Sequence, residues 1–100
     1  MFVFAHPDDA EIYCGGLIAR LAKDGKQVRL VKMTTGNKGS RAQVITEAEL
    51  ARTRESEDLL ALQTLGLGAA DSANLDLGDG EIETNLETIG KVVKEIRKFK

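Results

Sequence analysis

The sequence predicts an α/β fold, Rossmann-like, with three layers built on a parallel sheet; this chain supplies the first βαβα(β)α part. Three observations carry that prediction. Phe2-Val3-Phe4-Ala5 is a short unbroken apolar run, as a strand buried on both faces requires. Segments of strand and helix periodicity then alternate along the chain. The resulting β-α-β-α-(β)-α order, with short connections, implies parallel strands and right-handed crossovers.

Each element has its own justification. After the first strand, Cys14, Leu17, Ile18, Leu21 and Ala22 recur at helical spacing, predicting a helix from about Ala10 to Asp24 with Gly25 as its stop. Gln27 to Thr34 alternates as a second strand. Thr35 to Ser40 is a loop by its glycine and asparagine content. Thr46 and Glu49 form a capping box opening a long helix that ends at Leu65, with Gly66 beyond. A short strand is expected around Ala73 to Leu77, then a turn at Gly78-Asp79-Gly80. Thr84 and Glu87 suggest a second capping box, and Leu86, Ile89, Val92, Val93 and Ile96 give the last helix a narrow apolar face. Lys94, Arg97, Lys98 and Lys100 gather at its end, where cations complement the helix dipole.

One hundred residues with 42% apolar content make at most one small domain. Residue 1 abuts a strand, and Lys100 closes a helix where another strand is due, so residues 1–100 read as the N-terminal part of one domain, truncated at both ends. A net charge of −2 offers no bulk attraction for nucleic acid or an anionic membrane. The single cysteine, Cys14, excludes an internal disulfide and fits a reducing compartment. No apolar stretch is long enough to span a bilayer, which makes a cytoplasmic location the default.

The chemistry concentrates at His6-Pro7-Asp8-Asp9, where the only histidine stands beside two carboxylates at the strand's carboxyl end, with Glu11 just after. Ligands of α/β folds bind at such ends. Histidine and carboxylate are zinc donors, and His6 and Asp9, three apart across a turn stiffened by Pro7, could face one ion. Asp8 then remains nearby as a candidate general base for a water acidified by the metal. On residue types alone the same tetrad also reads as a helix cap, with Asp9 at the N-cap, Asp8 a favourable first-turn charge and His6 a satisfied strand-end side chain.

In the long helix, Leu50, Arg54, Ala61 and Leu65 share a face, with Glu57 beside Arg54. Arg54 could bind an anionic or hydroxyl-rich substrate, or simply pair with Glu57 at the helix margin. The first turn lacks the G-x-G-x-x-G of dinucleotide folds and its carboxylates would repel a pyrophosphate. The Gly36–Gly39 loop lacks the ending of a P-loop. A calcium loop around Gly80 would need ligands at Leu75 and Leu86, so that motif is excluded.

These motifs together resemble the LmbE-like (PIG-L) family of zinc-dependent de-N-acetylases. The resemblance rests on Ala5-His6-Pro7-Asp8-Asp9-Ala10-Glu11, Gly15-Gly16, Thr35-Gly36-x-x-Gly39, Arg54-x-x-Glu57-x-x-x-Ala61-x-x-x-Leu65-Gly66 and Asp79-Gly80. It implies that His6 and Asp9 are zinc ligands and that Asp8 is the general base activating the zinc-bound water. It also implies that Arg54 and Asp79 contact a small-molecule N-acetylglucosamine conjugate, from which acetate is released to leave a free amine. The family takes a third zinc ligand from a later histidine, and none follows His6 here; that ligand is expected beyond residue 100, and the isolated piece is expected to bind zinc weakly and hydrolyse little. Cys14, Asp71 and Asp76 are poor substitutes, the first for its place on an apolar stripe. Gly15 and Gly16 allow close approach of the first helix to the site or sheet, or serve helix packing alone. Two other classes stay open: a magnesium-binding receiver-like or phosphotransfer module, and a non-catalytic relative. Assembly as a homo-oligomer is also left open.

Overall fold

The computed structural model describes residues 1–39 and 44–100; Ser40, the end of the expected loop, lies outside the described residues. Strand β1 (Phe2–Phe4) leads into helix α1 (Asp9–Lys23), then β2 (Leu30–Thr34), α2 (Glu47–Thr64), a 3-10 turn (Ala69–Asp71), β3 (Ser72–Leu77) and α3 (Leu86–Phe99). The strands pair in parallel in the order β1-β2-β3, with Val3 opposite Val31 and Val31 opposite Ala73. The predicted α/β class with a parallel sheet is what forms. Because the strand order runs steadily one way, right-handed crossovers put α1 and α2 on the same face. Leu30, Lys32 and Thr34 point to that face by strand alternation. Leu30 packs there with Ala10 and Ile18 of α1, Leu62 of α2 and Val28. Val31, fully buried, points the other way. Helix α3 is tied to the foot of β2 by Glu95, which accepts a hydrogen bond from Arg29 at 2.7 Å.

Several boundaries differ from expectation. β2 begins at Leu30 rather than Gln27, because Phe2 and Ser72 are the first residues of its neighbours and a ladder cannot outrun its partners. The Thr46–Glu49 capping box forms as predicted. The Thr84–Glu87 box does not: Asn85 is the N-cap, and its side chain accepts the Thr88 N–H at 2.9 Å. Asparagine caps a helix at least as well as threonine, so the start moves one residue on. Leu17, expected in the α1 stripe, is 54% exposed, and Leu62 rather than the Leu50–Arg54–Ala61–Leu65 face carries the burial of α2. In α3, Leu86, Ile89 and Ile96 are exposed. Among the described residues no helix is long and apolar enough to cross a membrane.

At the carboxyl end of the sheet, two steps along β2 (Lys32 to Thr34) face three along β3 (Asn74 to Leu77). Asp76 takes a left-handed backbone with φ of 53°, and its N–H donates to Asn74 Oδ1. Aspartate tolerates that conformation better than most side chains. Such a bulge bends the strand and re-aims the chain beyond it, here the turn that carries Asp79.

Candidate active site

The carboxyl ends of the three strands meet in one cluster of loops. Asp8 is the N-cap residue of α1 by backbone, yet its side chain caps nothing and stays exposed. Asp9, the first helical residue, folds back so that its Oδ2 accepts the His6 N–H at 3.0 Å. The same oxygen lies 3.6 Å from His6 Nδ1. The other ring nitrogen of His6, Nε2, is 2.9 Å from Asp79 Oδ1. The helix-cap reading, with Asp9 at the N-cap and Asp8 in the first turn, is therefore reversed: Asp8 takes the N-cap position without a side-chain cap, and the Asp9 carboxylate accepts from His6 instead.

Asp79 must reach across two strand spacings, about 10 Å, to meet His6. The loop after β2 bridges the gap. Asn37 Oδ1 accepts the Asp79 N–H at 3.3 Å, and Asn37 Nδ2 donates to Glu47 at the start of α2 at 2.9 Å. Gly36, with φ of +66°, lets this loop lie on buried Pro7: a Cβ there would sit 3.4 Å from Pro7 Cδ. Thr34 Oγ1 donates to Ala5 O at 2.9 Å, fastening the ends of β1 and β2. The hydrogen bond to Asp79 raises the His6 pKa above 6.5 against the opposing effect of burial, with the charges of Asp79, Asp9 and Asp8 adding to the rise.

Beside this cluster is a cleft of about 210 Å³ lined by Pro7, Asp8, Glu11, Arg54, Glu57, Asp58 and Ala61. Arg54 Nη1 lies 3.3 Å from Glu57 Oε2, so the salt bridge at the helix margin forms, and the same arginine lines the cleft together with Asp8. Beneath, Lys32 is 1% exposed; its Nζ donates to Ser72 Oγ at 2.8 Å and stands 2.6 Å from Asp58 Oδ1. That contact is an ion pair by distance but is not aligned as a hydrogen bond, which leaves Asp58 Oδ1 without a hydrogen-bond partner. Both carboxylate oxygens of Glu11 are likewise buried without a partner. Burial raises the Glu11 pKa, against the opposing charge of Lys32.

Of the residues singled out by sequence, Asp9 and Asp79 each meet His6, one at either ring nitrogen, and Asp8 and Arg54 line the adjacent cleft. Cys14 packs against the core and Asp71 accepts the Gly68 N–H at the opposite end of β3, so neither joins them. Gly15 would place a Cβ 3.9 Å from Leu65 and Gly16 would meet nothing within 4 Å. The glycine pair thus faces α2 and solvent, not the site. The buried pair Lys32 and Asp58 was missed. Its signal was present: Lys32 has the inward parity of Leu30 and Thr34, and a buried lysine demands a counter-charge.

His6 and Asp9 pass a geometric test for a shared metal ion. Two donors on a tetrahedral zinc, each about 2.0–2.2 Å from it, are roughly 3.3–3.5 Å apart. The 3.6 Å between His6 Nδ1 and Asp9 Oδ2 is close to that and too long for a hydrogen bond. Among the described residues no group of three such donors occurs.

A family profile described as GlcNAc-PI de-N-acetylase, PIG-L, matches residues 1–100. The chain belongs to the PIG-L family. It is 42% identical over 80 residues to the uncharacterized deacetylase YaiS of Escherichia coli strain K12, a match covering 75% of this chain and 40% of YaiS. Among solved structures it superposes on N,N'-diacetylchitobiose deacetylase from Pyrococcus horikoshii with a TM-score of 0.92 and 31% identity, over 97% of this chain and 36% of that one. A second similar structure is GalB, the 4-carboxy-2-hydroxymuconate hydratase of Pseudomonas putida KT2440, with a TM-score of 0.86 and 26% identity, over 98% of this chain and 42% of GalB. The chain thus spans about two fifths of the length of these relatives.

Proposed function

We propose that this chain carries the strand-end half of a zinc-dependent N-deacetylase site, which hydrolyses the acetamide of an N-acetylglucosamine-containing small molecule to acetate and a free amine. The observation that carries the reading is the 3.6 Å separation of His6 Nδ1 and Asp9 Oδ2, with Asp8 on the same turn and its carboxylate uncommitted to the helix. Likeness to a diacetylchitobiose deacetylase and to a family described by GlcNAc-PI supports the amino-sugar class.

In this reading His6 and Asp9 hold the metal, with a third ligand, a histidine, from the part of the domain outside these 100 residues. Bound there, zinc would supply an acidified water and an electrophile for the carbonyl oxygen. Asp8 is exposed and near the metal ligands, so it accepts a proton from the attacking water and can return it to the departing amine. Arg54, which lines the same cleft as Asp8, offers guanidinium donors to sugar hydroxyls. Its pairing with Glu57 holds the fork in place.

The decisive experiment uses the whole parent protein with an N-acetylglucosamine conjugate. Asp8→Ala should retain zinc and lose acetate release by roughly 100- to 10,000-fold. Unchanged turnover would remove Asp8 from its role. Water addition to an unsaturated acid, without acetate release from any acetamide, would move the chain to the hydratase side of the fold.

A further inference from the structure

We infer that Asp79 is a positioning residue that locks the ring of His6, presenting Nδ1 to the metal. The inference rests on the zinc reading above. An ionised carboxylate can only accept hydrogen bonds, so a contact of 2.9 Å from Asp79 Oδ1 requires the proton of the neutral ring to sit on Nε2. The lone pair then belongs to Nδ1. That is the nitrogen facing Asp9 Oδ2 at 3.6 Å. Metal-bound histidines commonly give their other N–H to a carboxylate in this way, which fixes both tautomer and orientation.

The burial of the two side chains supports the same division of labour. The side chain of His6 is 44% exposed, so packing alone does not stop the ring from turning. The side chain of Asp79 is only 16% exposed and has one oxygen already engaged. Asp79 is itself held, through its backbone N–H, by Asn37, which is anchored to Glu47. The start of α2 therefore supports the loop that supports Asp79, and Asp79 sets the ring.

The test uses this chain, in which His6 is the only histidine, so its ring signals are unambiguous. Long-range ¹H–¹⁵N NMR of the neutral imidazole in this chain reads the tautomer, and competition with a chromophoric chelator reads the zinc affinity of the whole parent protein, for wild type, Asp79→Ala, Asp79→Asn and His6→Ala. Wild type should hold the proton on Nε2. Asp79→Ala should give mixed tautomers and zinc affinity lower by roughly 10- to 100-fold. Asp79→Asn, nearly isosteric and still an acceptor, should recover part of both. Zinc affinity that disappears in His6→Ala but is unchanged in Asp79→Ala overturns the positioning role alone. Tighter zinc in Asp79→Ala also overturns it, by showing that Asp79 blocks the nitrogen the metal needs. Zinc uptake indifferent to His6→Ala overturns the metal reading, and this inference with it.

Discussion

His6 and Asp79, 73 residues apart in the chain, meet through Nε2 and Oδ1 at 2.9 Å and join the loop after β1 to the loop after β3. The contact has a direct signature in the apo protein. It holds the imidazolium form, so the ring of His6 should titrate above 6.5, and Asp79→Ala should lower that midpoint. A pH series of the ring carbon protons by NMR measures both. A midpoint that stays put in the variant would mean that the two side chains do not meet in solution.

Lys32 is expected to be the most sensitive polar position in the core. It is 1% exposed and lies against Asp58 and Ser72 beneath the cleft. Lys32→Met strands Asp58 without its cation and should cost about 3–5 kcal/mol in urea denaturation. Adding Asp58→Leu should recover much of that loss, because removing both charges is far cheaper than removing one. A double variant no more stable than Lys32→Met would show that the pair is not coupled.

Two glycines should respond in opposite directions to alanine. Gly36 combines a φ of +66° with a Cβ position 3.4 Å from Pro7 Cδ, so Gly36→Ala should destabilise by about 1–3 kcal/mol and disturb the loop that carries Asn37. Gly16 lies inside α1 with nothing within 4 Å of its Cβ position. Gly16→Ala should therefore stabilise, by about 1 kcal/mol through helix propensity. Thermal melts of the two variants give the comparison.

Acid should weaken the attachment of α3. Lys98 first and Arg29 second hold the Glu95 carboxyl below its ordinary 4.5, and its side chain is 7% exposed. A lowered folded pKa means that the stabilisation is fully present above 4.5 and fades as the pH falls through the lower folded value. The stability gap between wild type and Glu95→Gln should be widest near neutrality and close below 4.5. A gap that did not vary with pH would assign the effect of the substitution to packing.

Much of this was legible in the sequence where the determinants are local. The Phe2–Ala5 run, the Ile18 and Leu21 positions of α1 and the Thr46–Glu49 box each involve residues within a turn or two of one another, and the elements formed where those signals lay. The Thr84–Glu87 box failed because a better cap, Asn85, was adjacent, and propensity alone does not choose between neighbours. The start of β2 was misplaced because a strand's length depends on its partners. The Lys32–Asp58 pair was missed because it joins β2 to α2, 26 positions along the chain, with no motif to connect them.

By itself the sequence determined the class of fold, the place of the His6-Pro7-Asp8-Asp9 turn at a strand's carboxyl end, and the donor types offered there. All of these come from short-range periodicity and side-chain chemistry. Only the tertiary structure decided which of those side chains touch. Asp9 turned back to His6 while the Asp8 side chain stayed free of the helix, and Asp79, which the family resemblance gave as a substrate contact, came to meet the far side of the His6 ring. The reason is geometric: ring orientation and carboxylate partnership are settled by contacts between loops that only a parallel sheet, with a bulge at the end of β3, brings together.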